Sequence, residues 1–161
     1  MPHPTHIGPD QYLDLSGNVA VSLGDVVAAW ELAYSALEKL LRPLGSAGAL
    51  YMVFGLQGAG KTTWIERNAP KLAANSVFLD GPLPSRAKRA RAINITRSAG
   101  CKVVAVWVNT PFEVALEQNS KRSGLACIRE EAIRHVRGQL EPPSQDEGFN
   151  EIILCHAAVE A

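Results

Sequence analysis

The sequence predicts an α/β domain with a small parallel sheet and helices on both of its faces. Continuous apolar runs at residues 50–54 and 103–108 are typical of strands that are buried on both faces. Segments of helical length separate the predicted strands, and this alternation is the pattern of a parallel sheet. The length of 161 residues fits one domain of this kind.

Composition and charge narrow the classes of protein to which the chain can belong. It has 16 basic and 16 acidic residues, so it lacks the strongly positive field of a dedicated nucleic-acid binder. Its three cysteines and four histidines are scattered, which indicates neither a disulfide framework nor a zinc site. We expect the histidines to be surface or terminal residues. Because no apolar run approaches the roughly 18 residues of a membrane helix, we expect a cytoplasmic protein with no membrane partner.

Residues 1–48 are predicted to be an N-terminal extension with one amphipathic helix. Residues 1–21 contain several prolines and glycines and are expected to be irregular. The helix begins after Ser22, which can cap it with Asp25 as the capping-box partner. Its apolar stripe consists of Val26, Trp30, Ala33, Leu37 and Leu40. We expect this helix, residues 22–44, to pack on the domain or to dock a second copy of the chain or a partner protein.

Residues 49–161 are predicted to be the main domain. Its strands are expected at 50–54, 76–80, 102–109 and 151–155. Its first helix is expected to end at residue 68. The other helices are expected to cover 84–98, 111–120 and 128–140. Thr110 and Glu113 have the spacing of a capping box, with Pro111 at the first helical position.

A phosphate-binding motif follows the first strand of the main domain. Residues 55–62 read Gly-Leu-Gln-Gly-Ala-Gly-Lys-Thr, which matches G-x-x-x-x-G-K-[ST] at every position; we call them the P-loop motif. In such a motif, backbone N–H groups and the N-terminus of the next helix hold phosphate oxygens. The predicted ligands are ATP and Mg²⁺, and the fold is then a P-loop NTPase-type three-layer fold. The predicted nucleotide-binding residues are Gly55, Gln57, Gly58, Ala59, Gly60, Lys61, Thr62 and Thr63.

Lys61, Thr62 and Asp80 are the candidates for phosphate and metal chemistry. Lys61 is expected to reach the β- and γ-phosphates, and the Thr62 hydroxyl can bind Mg²⁺. Asp80 ends the second predicted strand of the main domain, at the sheet edge where α/β proteins bind ligands. It can complete the metal shell or accept the proton of an attacking hydroxyl, and the sequence leaves both roles open.

Two basic clusters flank loops at the predicted ligand edge. Lys121 and Arg122 lie at a helix end before a Ser-Gly pair, which is a suitable place for a mobile lid over a triphosphate. The second cluster begins the helix after Asp80 and consists of Arg86, Lys88, Arg89 and Arg91. Arginines of this kind supply the positive charge that phosphoryl transfer needs.

The chain resembles the polynucleotide-kinase-like P-loop kinases, the family of the phage-type 5′-hydroxyl polynucleotide kinase domain. The matching stretches are 55–64, 99–111, 117–122, 140–143 and 147–152. The resemblance implies Lys61 and Thr62 at phosphate and metal, Arg122 as a lid arginine on the transferring phosphoryl group, and Asp80 as the base. It also implies a further helix and strand before the basic helix. Here that βα unit is missing or compressed, because Asp80 leads straight into the basic helix.

These observations favour an ATP-dependent kinase that transfers the γ-phosphoryl group to a hydroxyl acceptor. The acceptor is a 5′-hydroxyl nucleic-acid end or a small metabolite, and the sequence does not separate the two. The alternative is a nucleotide-binding regulatory or interaction protein with little kinase activity, which the shortened substrate region and the N-terminal helix would suit.

Overall fold

One five-stranded sheet organises the structure, which is a computed structural model describing residues 5–13, 21–122 and 127–156. All strand pairs are parallel, and the spatial order is β1-β3-β2-β4-β5. The strands are β1 (Thr5–Ile7), β2 (Ala49–Phe54), β3 (Ser76–Gly81), β4 (Lys102–Asn109) and β5 (Glu151–His156). The predicted α/β class with a parallel sheet is therefore confirmed.

Helices cover both faces of the sheet, which makes three layers. They are α1 (Leu23–Leu41), α2 (Lys61–Asn68), α3 (Arg86–Ser98), α4 (Phe112–Ser120) and α5 (Glu130–Gln139). Alternate residues of each strand point to opposite faces. On β2, Met52 packs in one core with α1 and α3, whereas Val53 packs in the other with α2, α4 and α5. In the described ranges, none of the helices is long and apolar enough to cross a bilayer.

Helix α1 forms as the sequence predicts, but its buried stripe is Ala29, Ala33, Leu37 and Leu41, with Val26 and Trp30 only partly buried. Ser22 accepts a hydrogen bond from the Asp25 N–H, and the Asp25 carboxylate accepts one from the Ser22 N–H. Ala33 and Leu37 are fully buried, but the last buried position is Leu41 rather than Leu40. The shift by one residue reflects the 3.6-residue period of the helix, which a strict alternation of three and four follows only locally.

The expectation that residues 1–21 are irregular is wrong for residues 5–12. Thr5–Ile7 forms β1 and pairs in parallel with β3, and a 3₁₀ turn follows at Pro9–Tyr12. Together with α1, β1 supplies a βα unit at the β3 edge of the sheet. The division of the chain at residue 48 stays a prediction, although both parts contribute to the same layers.

Helix α4 begins differently from the prediction. Pro111 is its N-cap and no side chain caps it, so Thr110 and Glu113 do not form a capping box. The Thr110 hydroxyl instead donates a hydrogen bond of 2.6 Å to the Ala59 carbonyl oxygen. Because this contact is between residues far apart in the chain, local spacing could not reveal it.

Most residues of the basic cluster on α3 form ion pairs with carboxylates of the protein itself. Arg89 is completely buried and its Nε lies 2.9 Å from Glu147 Oε1, whose side chain is 3% exposed. Arg86 pairs with Asp146, and Arg91 pairs with Glu31 on α1. The prediction that these arginines serve a ligand is therefore wrong for Arg89, and the ion pairs of Arg86 and Arg91 also join α3 to neighbouring segments.

We predict that Glu147→Gln destabilises the fold much more than Glu31→Gln. The first change leaves the buried Arg89 cation without its counterion, and breaking such a pair costs about 3 kcal/mol or more. The Arg91–Glu31 pair is about half exposed on both sides, and such pairs contribute at most about 1 kcal/mol. Urea unfolding of both variants measures the difference, and equal losses would contradict the role given to the buried pair.

Candidate active site

The P-loop motif lies between β2 and α2, at the carboxyl edge of the sheet. Two of its glycines have backbone angles that other residues adopt at a cost: Gly58 has φ of 83° and Gly60 has φ of 104°. Gly60 is the N-cap of α2, so the loop turns directly into the helix. The motif therefore follows a strand and leads directly into a helix, as the sequence predicts.

Helix α4 and the end of β4 support the P-loop motif from behind. A Cβ atom on Gly58 would lie 2.3 Å from the Ala115 carbonyl oxygen, so only glycine fits this approach. On the same side, Thr110 is buried and holds the Ala59 carbonyl through its hydroxyl. Thr110 is thus a supporting residue that the sequence analysis had given another role.

Lys61 is buried with its ammonium group turned back onto the loop. Its side chain donates hydrogen bonds of 3.0 and 2.9 Å to the carbonyl oxygens of Gly55 and Leu56. Burial lowers the pKa of Lys61, the charges of Asp80 and Asp10 oppose this change, and the charge of Arg122 adds to it. The net pKa is below the usual value, because burial disfavours the charged form of the amine.

Asp80 contacts both Thr62 and His6 through one oxygen. The Thr62 hydroxyl donates to Asp80 Oδ2 at 3.3 Å, and His6 Nε2 lies 3.2 Å from the same oxygen. Burial raises the pKa of Asp80, but the hydrogen bonds from His6 and Thr62 and the charge of Lys61 outweigh it and leave the pKa below normal. Asp80 is therefore ionised at neutral pH.

His6 joins this site against expectation. The sequence analysis treated the histidines as surface or terminal residues, but His6 lies on β1 opposite Phe78 of β3 and reaches Asp80. Its segment is only three residues long as a strand, and it carries no alternation long enough to be recognised. No signal in the sequence would have paired it with β3.

Thr62 and Asp80 suit a hard cation that a phosphate helps to hold. The Thr62 side chain is exposed, and its hydroxyl and the Asp80 carboxylate are oxygen donors, which Mg²⁺ prefers. Among the described residues, no group of three or more His, Cys, Asp or Glu could hold a metal by itself. Mg²⁺ in nucleotide sites usually has one or two protein carboxylates and takes its other ligands from phosphate and water, so this pair fits it.

The remaining predicted residues surround these groups. Arg122 is exposed just after α4, and its charge is near enough to Lys61 to lower the pKa of that residue. Residues 123–126 lie outside the described residues, so the lid stays a prediction. Gln57 Oε1 is buried and, within the described part of the chain, has no hydrogen-bond partner; Thr63 is half-buried at the start of α2.

Comparison with known proteins does not assign the chain to a family. No family model matches the sequence, and no curated protein does. Among solved structures, the chain is similar to an unliganded sugar kinase from Janibacter sp. HTCC2649, with a TM-score of 0.45 and 15% identity. The likeness covers 95% of this chain and 70% of that one.

We predict that Thr110→Val weakens nucleotide binding while Thr110→Ser does not. Valine has the shape of threonine but no hydroxyl, so the Ala59 carbonyl loses its donor and the loop loses an anchor. An unpaired buried acceptor costs about 1–3 kcal/mol, part of which would appear as reduced affinity. Calorimetric titration with Mg²⁺ and a non-hydrolysable ATP analogue tests this, and equal affinities for the two variants would refute it.

Proposed function

We propose that the protein is an ATP-dependent kinase that transfers the γ-phosphoryl group of ATP to a hydroxyl acceptor. The observation that supports this most directly is the contact between Thr62 and Asp80 beside the buried Lys61. A hydroxyl and an ammonium group at the start of α2, beside a carboxylate near the end of β3, suit a triphosphate and its metal ion. The sheet edge on which they lie is where α/β folds bind ligands.

Each of these residues has a distinct role in the proposed reaction. Lys61 binds the β- and γ-phosphates, and their negative charges stabilise its buried ammonium group. Thr62 and Asp80 would hold Mg²⁺, which supplies charge neutralisation on the phosphates when it is bound. Arg122 reaches the transferring phosphoryl group from the segment after α4. The backbone of residues 57–60 holds phosphate oxygens and so fixes the orientation of the triphosphate.

The acceptor class rests on the sequence resemblance to polynucleotide-kinase-like enzymes. That resemblance favours a 5′-hydroxyl end of a nucleic acid, and a small metabolite is the other option. The balanced charge of the chain favours a short end over a long duplex, because binding along a duplex needs many phosphate contacts. A cytoplasmic location belongs to the same proposal.

A nucleotide-binding regulatory protein is the second candidate, and α1 is the observation that favours it. Leu23, Val27 and Leu32 are exposed by 80%, 56% and 53%, although all three are apolar. A helix with exposed apolar side chains suits contact with a second copy of the chain or with a partner protein. In that case ATP would be held and slowly hydrolysed, without an acceptor.

The experiment that separates the two candidates measures ADP release across a panel of acceptors. We expect release to rise with one class among 5′-hydroxyl oligonucleotides, nucleosides and sugars. Lys61→Ala should abolish this transfer and strongly weaken ATP binding, because the phosphates lose their buried cation. Unchanged binding and turnover in that variant would contradict the proposed site. ATP binding by the wild type without transfer to any acceptor would favour the regulatory candidate.

A second prediction concerns the role of Asp80. Its contact with Thr62 favours the metal shell, so Asp80→Asn should weaken ATP binding when Mg²⁺ is present and change it little when Mg²⁺ is absent. If Asp80 were instead the base, affinity would be unchanged and transfer would fall by about 10²–10⁴-fold. Titration with and without Mg²⁺, together with initial rates, distinguishes these outcomes. Near-normal turnover would reject both roles.

A further inference from the structure

The 3₁₀ turn Pro9–Tyr12 lies beside Asp80 at the carboxyl edge of the sheet. Ile7, the last residue of β1, pairs with Leu79 of β3. One residue further on, a Cβ atom on Gly8 would lie 3.0 Å from the Asp80 carbonyl oxygen. The backbone just after β1 therefore contacts Asp80, which accepts a hydrogen bond from Thr62. The 3₁₀ turn follows directly. This places the turn on the nucleotide side of the sheet.

The turn is held firmly even though it is at the surface. Pro9 is buried, and the Gln11 side-chain amide donates a hydrogen bond of 2.6 Å to the His6 carbonyl oxygen. The Gln11 N–H also bonds to the Gly8 carbonyl oxygen at 3.3 Å. Between these anchors, Asp10 is exposed to solvent. A carboxylate on a fixed turn at the open edge of a site is well placed to meet a second substrate.

Asp10 and Asp80 differ in how much of their carboxylate is free. Asp80 is largely buried, and its Oδ2 is engaged by Thr62 and His6. In the part of the chain that the structure describes, no side chain or N–H group forms a hydrogen bond or ion pair with the Asp10 carboxylate. Its charge nevertheless acts on Lys61, together with that of Asp80, so it lies within electrostatic reach of the phosphate site.

We infer that Asp10 is the base that accepts the proton of the acceptor hydroxyl, and that the acceptor binds between the Pro9–Tyr12 turn and the P-loop motif. This inference rests on the proposed kinase function. As the acceptor oxygen forms its bond to the γ-phosphorus, the bond from that phosphorus to the bridging oxygen of ADP breaks. ADP leaves with the electron pair, and the hydroxyl proton passes to the Asp10 carboxylate. In this scheme Asp80 does not take part in the proton transfer and remains beside Thr62.

The division of labour between the two carboxylates has a physical reason. A base must come within hydrogen-bond reach of the acceptor, roughly 3 Å, and needs an open approach. A metal-shell carboxylate must instead be fixed beside the other ligand, as Asp80 is beside Thr62. The N-terminal strand would thus provide the acceptor half of the active site, in place of a strand that follows β3 in the chain.

The test compares Asp10→Asn with Glu66→Gln, a matched removal of one exposed negative charge on α2. Both full-length variants are assayed for binding of a non-hydrolysable ATP analogue with Mg²⁺ and for transfer to the acceptor panel. Asp10→Asn should bind the analogue normally and lose transfer by about 10²–10⁴-fold. Glu66→Gln should match the wild type in both assays. Because the Asp10 side chain is exposed, the change to asparagine should leave the unfolding transition unaltered, which circular dichroism checks.

Three outcomes would overturn the inference. Near-normal transfer by Asp10→Asn removes the role of Asp10 and leaves the kinase function standing. A loss of analogue affinity equal to the loss of transfer would mean that Asp10 serves the nucleotide through Lys61 and not the acceptor. If the wild type binds the analogue but transfers to none of the acceptors, the proposed function itself fails, and the base assignment fails with it.

Discussion

The parallel pairing of β3 with β2 on one side and β1 on the other is the constraint on which the site depends. Register places Val53 opposite Asp80 and Ile7 opposite Leu79, so the ends of three strands meet at one edge. Lys61, Asp80 and His6 meet because of that alignment, since they come from three separate strands or the loops beyond them. A slip of one residue would turn the Asp80 side chain to the opposite face of the sheet.

Several features of the candidate site lower the stability of the folded protein when no ligand is bound. Lys61 is 8% exposed, and its pKa is lowered chiefly by burial, which means that the folded state disfavours its charged form. The loop also contains glycines in the left-handed region. The side-chain amide oxygen of Gln57 has no hydrogen-bond partner among the described residues. Each of these features costs free energy in the folded state.

The sequence was sufficient wherever the pattern was local and long. Strands β2 and β4, the capping box of α1 and the P-loop motif all depend on neighbouring residues, and the structure has them at the expected places. It was insufficient where distant residues decide. Thr110 has the spacing of a cap but bonds to Ala59, and Arg89 was expected at a ligand but is buried against Glu147. β1 is too short to show a period, so His6 was missed.

The position of β1 in the chain also sets the order in which the protein can assemble. Thr5 pairs with Val77, so β1 can join the sheet only after β2, α2 and β3 have formed a surface to receive it. Bringing Thr5 to Val77 closes a long loop and therefore costs conformational entropy. Because β1 has only three residues, few contacts offset that cost. Until it docks, β3 is an open sheet edge, and open edges invite pairing with other chains. Docking of β1 therefore covers the open edge of β3 and guards the sheet against self-association.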